Sequence, residues 1–90
     1  MGTLEFDVGE IKYVTAIIRT RNKNDTIVIN EANWELYDSP EHMINNGVCL
    51  ISGDEVSALI ETKKKGNYIL KFIVKIGPEK IIEKIAVRVI

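Results

Sequence analysis

The sequence predicts an all-β fold, a two-layer sandwich of about seven antiparallel strands formed by residues 1–90 as one domain. Three observations lead there. Apolar residues alternate with period two along most of the chain, β-branched residues crowd the alternating positions, and turn-forming clusters interrupt them every ten residues or so. With 46% hydrophobic residues, six glycines and two prolines, the chain has enough apolar material to pack and too little low-complexity sequence for a disordered tail.

Taken in order, "LEF" is a short candidate strand, and "YVTAIIRT" puts Val14, Ala16 and Ile18 on one face. "ANWELYD" sets Ala32, Trp34 and Leu36 against Asn33, Glu35 and Tyr37. "VSALIET" groups Val56, Ala58 and Ile60. The clearest alternation is "NYILKFIVKI", with Tyr68, Leu70, Phe72, Val74 and Ile76 inward and Ile69, Lys71, Ile73 and Lys75 outward. "IIEKIAVRVI" adds Ile85, Val87 and Val89 to the core face. The breakers are "RNKND", "DSPEH", "SGDE", "KKKGN" and "GPEK". Residues 42–52 admit two readings: Asn46-Gly47 as a type I′ hairpin turn, or Gly47 as a bulge inside one longer strand reaching Ile51.

A glycine two residues before a tyrosine that opens the penultimate strand, "GNY" at 66–68, matches the corner where immunoglobulin-like sandwiches cross between sheets. There the phenol hydroxyl bonds back to upstream backbone while the ring packs inside. On this reading Leu70 stands where antibody domains carry a disulfide cysteine, and Trp34 is the inner aromatic of the third strand, packed against that site. Trp34 and Tyr68 are then expected to enter one interior from opposing layers. The expected core comprises Trp34, Leu36, Tyr68, Leu70, Phe72, Ile85 and Val87.

The turn "GPEK" suggests a register for the last hairpin, with Gly77 opposite Lys80. Inward pairs become Tyr68 with Val89, Leu70 with Val87 and Phe72 with Ile85. Outward pairs become Ile69 with Arg88, Lys71 with Ala86, Ile73 with Lys84 and Lys75 with Ile82, so that no like charges face each other. The outward mosaic of Ile69, Lys71, Ile73, Lys75, Ile82, Lys84 and Arg88 has two readings. Its lysines guard a pleated surface against aggregation, or the face docks on a protein partner, its cations meeting acidic groups.

Charge is divided along the chain: residues 1–61 carry four basic and eleven acidic side chains, residues 62–90 eight and two. The whole is near neutral at −1, which suits complementary faces within or between copies better than a nucleic-acid site. The acidic half of a neighbouring copy, with Glu5, Asp7 and Glu10, is the expected counterpart of the lysines.

Chemical motifs are sparse. His42 and Cys49 are the only histidine and thiol, so no zinc set and no internal disulfide is expected, and Cys49 reads as a small apolar strand residue. Asp54-Glu55 reads as a turn pair and Lys63–Lys65 as a solvated loop tip. Asn22, Asn24 and Asp25 offer oxygen donors but lack the glycine and terminal glutamate of a calcium loop. No cofactor, enzymatic activity, nucleic acid or membrane partner is expected. "MGTLEFDVGE" has neither a basic n-region nor an apolar h-region, so a protein folded in the cytoplasm without a secretory signal is expected.

From Thr15 onward, "IVINEANWELYD", "SGDEVSALIET" and "GNYILKFIVKIGPEKIIEKIAVRVI" resemble small immunoglobulin-like proteins encoded among the structural genes of tailed bacteriophages and prophages. They are similar to the amino-terminal module of phage baseplate upper proteins. The resemblance implies a non-enzymatic virion structural or accessory role in baseplate, tail or head, with other virion proteins or further copies as partners. Two rivals share the sandwich: a bacterial surface or adhesion module, and a small immunoglobulin-like inhibitor acting through loops such as "DSPEHMINNG".

Overall fold

The computed structural model describes residues 3–19 and 28–90. Among these residues eight strands follow in order: β1 (Leu4–Phe6), β2 (Ile11–Ile17), β3 (Glu31–Ser39), β4 (His42–Val48), β5 (Leu50–Ser52), β6 (Glu55–Glu61), β7 (Gly66–Ile76) and β8 (Glu79–Val89). They form a five-stranded sheet ordered β1-β8-β7-β3-β4 and a three-stranded sheet ordered β2-β6-β5. The all-β reading is realised as two sheets around one cluster of buried side chains. The count exceeds the expected seven, and the pairing is not wholly antiparallel. "LEF" lies parallel to the last strand, Leu4 opposite Val87 and Phe6 opposite Val89. A parallel neighbour needs a long crossover, which the whole intervening chain supplies. The "RNKND" segment, with the oxygen donors considered in it, lies outside the described residues.

Alternation becomes burial. Val56, Ala58 and Ile60 of β6 and Leu70, Phe72 and Val74 of β7 are all fully buried, as inward positions of strands between two layers must be. Trp34, Leu36 and Val87 are buried with them, while Tyr68 and Ile85 are half-buried and pack against the cluster. Trp34 and Tyr68 do not come from opposing layers: β3 and β7 are neighbours in the larger sheet. Trp34 sits opposite Phe72, and Leu36 opposite Leu70. The facing layer is built of the smaller Val14, Val56, Ala58 and Ile60, which leave depth for rings rooted in one sheet.

The corner has the expected bond, since the Tyr68 hydroxyl donates to the Lys64 carbonyl at 2.8 Å. Gly66, at φ +149°, supplies the turn into β7 that other residues enter with strain.

The terminal hairpin departs from the expected register by two residues. Its pairs are Tyr68 with Val87, Leu70 with Ile85, Phe72 with Glu83 and Ile76 with Glu79. The turn is therefore Gly77-Pro78, with Gly77 at φ +57°. A two-residue hairpin turn needs positive φ at its first central position, which glycine adopts freely. Pairing Gly77 with Lys80 would have put Pro78 there, and its ring fixes φ near −65°. A shift of two keeps every side chain on its face but changes its partner. Lys71 now opposes Lys84 and Lys75 opposes Lys80, so like charges do face each other.

Neither reading of residues 42–52 holds. Asn46 and Gly47 are regular positions of β4, opposite Glu35 and Trp34, and the register shifts fall between Leu36 and Ser39. A Cβ on Gly47 would lie 2.7 Å from Trp34 Nε1, so the indole occupies the space a side chain would fill. Cys49 joins β4 to β5, carrying the chain from the larger sheet to the smaller.

Candidate functional site

The strand parities bring all seven residues of the expected mosaic to the outer face of the larger sheet. Ile73 and Ile82 are direct cross-strand partners there, Ile69 opposes Ala86, and Arg88 opposes Asn67. Ile69 and Ile82 are exposed, and Lys71 and Ile73 half-buried. A shallow depression of about 490 Å³ crosses this face, lined among others by Val48, Asn33, Lys71, Ile73, Lys80 and Ile82.

The lysines of β7 resolve the like-charge opposition by leaning toward β3. Lys75 Nζ meets Glu31 Oε2 at 3.4 Å, and Lys71 Nζ lies 4.8 Å from the centre of the Tyr37 ring. The Tyr37 hydroxyl in turn donates to Glu35 at 2.7 Å. Two titrations feel this network. Glu31 is held below its ordinary range, first by the Asn33 amide that donates to it at 3.1 Å and then by the Lys75 charge. The Glu35 hydrogen bond, aided by desolvation and the carboxylate charge, raises Tyr37. Lys75 thus has an acidic partner within its own chain, and Lys71 an aromatic one. Glu5 lies opposite Arg88, and Glu10 accepts from the Asp7 amide and pairs with Lys12 at 3.6 Å. Leaning one way, the β7 lysines leave the β8 row of Lys80, Lys84 and Arg88 without an ion pair among the described residues.

A second surface was missed by reading the sequence one strand at a time. On the outer face of the smaller sheet, Tyr13 opposes Leu59 and Thr15 opposes Ser57, with Leu50 beyond Ser57. Ile11, Tyr13, Leu50 and Leu59 are all exposed, around a Thr15–Ser57 hydroxyl pair at 2.8 Å. The alternation in "IKYVTAI" and "EVSALIE" was visible, but with apolar residues on both parities it names the inner face and hides the outer one. Lys12, by contrast, stands at an inward parity: it donates to the Glu5 carbonyl at 3.2 Å and lies 4.3 Å from the Phe6 ring centre. An inward-turned lysine on an edge strand discourages further strand pairing.

Of the reactive side chains, Cys49 stands apart from the rest. Cys49 is buried, and desolvation pushes its thiol up to about 11, so it stays protonated and inert at neutral pH. His42 is exposed at the β3–β4 turn, with Nδ1 2.7 Å from Asp38 Oδ1. His42 and Asp38 line, together with Glu61, Lys63 and Lys64, a cavity of about 390 Å³ at one end of the sandwich, beside Thr62 and Tyr68. Thr62 is committed to structure, its hydroxyl donating to the Asp7 carbonyl at 3.0 Å. Among the described residues no cluster of His, Cys, Asp and Glu gathers to hold a metal, and no helix is long and apolar enough to cross a membrane. No family model matches the chain, and neither does any curated protein or solved structure.

Proposed function

We propose that the chain is an immunoglobulin-like, non-enzymatic structural or accessory component of a tailed-phage or prophage particle, acting through protein–protein contacts. The observation that carries this reading is the outer face of the larger sheet, where the Ile73–Ile82 pair and Ile69 stand beside Lys80, Lys84 and Arg88 of β8, which make no ion pair among the described residues. Apolar groups ringed by charge suit a surface that another protein covers.

The immunoglobulin-like part rests on strand order and the corner. β2, β6 and β5 answer to the B, E and D strands, and β3, β7 and β8 to C, F and G. Tyr68 makes the backward hydrogen bond of a tyrosine corner. A departure is β1, which lies beside the last strand in the larger sheet. The particle role rests on the sequence resemblance from Thr15 onward, and its site is in the virion after synthesis in the host cytoplasm.

Particles purified by density gradient from a strain expressing the chain test the role. A particle component bands with the capsids at a fixed ratio to the major structural proteins and remains after a high-salt wash. Recovery only in the soluble or exported host fraction would refute it.

A further inference from the structure

The outer faces of the two sheets are opposite in net charge: the larger sets Lys71, Lys75, Lys80, Lys84 and Arg88 against Glu5, Glu31 and Glu35, and the smaller carries only glutamates. On the smaller sheet, Glu55 and Glu61 stand at the two ends of β6, flanking the exposed Ile11, Tyr13, Leu50 and Leu59, and the outward positions of β2, β5 and β6 hold no lysine or arginine. On the larger sheet, Ile73, Ile82 and Lys80 line a shallow depression, and Lys84 and Arg88 follow Lys80 at the outward positions of β8. A symmetric dimer through the smaller sheet would bring glutamates together, and one through the larger sheet would join two faces of net positive charge. Only the unlike pairing joins apolar surface to apolar surface with opposite charges at the rim.

We infer that copies of this chain associate head to tail, the acidic outer face of one smaller sheet seating on the cationic outer face of the next copy's larger sheet. This rests on the contact role proposed above and names a second copy as the partner of that face. The contact is heterologous, so it propagates into a ring or a filament. Three short strands offer less than the roughly 800 Å² per partner of a standard interface, so each contact is weak. Assembly then depends on concentration or on a scaffold that holds copies close.

The test is light scattering of the full chain over a concentration series. Wild-type mass rises with concentration and falls back as salt screens the rim charges. Two double variants, Glu55→Lys with Glu61→Lys and Lys84→Glu with Arg88→Glu, leave each chain with two faces of one sign. Each alone associates about tenfold or more weakly, and their equimolar mixture, which again offers unlike faces, recovers the wild-type mass. All four positions are exposed, and matching far-UV circular dichroism verifies the fold. A wild-type chain that stays monomeric, a variant that associates as wild type does, or a mixture no heavier than its components overturns the inference. A monomeric chain that still bands with particles removes this contact alone. Self-association without banding removes the particle role alone.

Discussion

The two hairpins of the larger sheet fix their registers by different physics. β7–β8 pairs without interruption from Gly66 opposite Val89 to Ile76 opposite Glu79, and its alignment is dictated at the turn by Gly77-Pro78. β3–β4 shifts register between Leu36 and Ser39, and its regular part is centred on Trp34 opposite Gly47, a large side chain lying over an absent one. One register is set by backbone chemistry, the other by volume. Each should therefore break under a different kind of substitution.

The largest effect falls on the volume-set hairpin. Trp34→Ala removes a buried indole that faces Phe72 on one side and Gly47 on the other. Truncating a buried aromatic costs about 3–5 kcal/mol, most of the stability a domain this small can hold. A urea melt shows it as a lowered midpoint, and an unshifted, cooperative melt would take Trp34 out of the core. Gly47→Ala comes next. Its methyl would enter the space of the indole and force the ring or the edge strand to move, a strain of about 1–3 kcal/mol. The two substitutions are coupled: with Trp34 already alanine, Gly47→Ala loses most of its cost. Additive effects in that double-mutant cycle would mean that volume does not set the β3–β4 register.

How legible this was in the sequence follows the same division. Facing was readable, because a period of two commits each side chain to a face: Val56, Ala58 and Ile60, and Leu70, Phe72 and Val74, are buried as their alternation requires. The Tyr68 corner was readable because one tyrosine makes a local bond, four residues back to Lys64. Register was not, although its signal was present. "GPEK" excludes a turn with Pro78 first, and the misreading came from treating Gly77 as a strand residue when positive φ needs it inside the turn. Gly47 was opaque for another reason. Its role depends on Trp34, thirteen residues away, and no local rule links a missing side chain to a distant ring. The outer faces were half readable: the mosaic on β7–β8 follows from parity, while the apolar patch shared by β2, β5 and β6 needs the pairing of three separated segments.

At the turn-set hairpin the expected cost is smaller. Gly77→Ala retains the chain path but asks an L-residue to hold φ +57°, about 1–2 kcal/mol. The Gly77 amide also donates to Asn30 Oδ1 at 2.6 Å, so the turn is anchored to the approach of β3 and cannot relax freely. Amide exchange should quicken at Lys75–Lys80 and leave the β3–β4 ladder unaffected. Equal quickening in both hairpins would mean that they do not hold their registers independently.

The smallest effect is the most specific to register, and it has the opposite sign. Lys84 is exposed and directly opposite Lys71, whose ammonium leans away toward Tyr37. Lys84→Glu turns a like-charge cross-strand pair into an unlike one, which stabilises a sheet by about 0.2–1 kcal/mol. The gain should shrink as salt rises, because both groups are near solvent. Had the hairpin taken the alignment with Gly77 opposite Lys80, Lys84 would face Ile73 and the substitution would bring no such gain. The same change that weakens docking through the cationic face should thus stabilise the lone chain. Paired melts at low and high salt separate the two effects, and a Lys84→Glu chain no more stable than wild type at low salt would argue against the Lys71–Lys84 pairing.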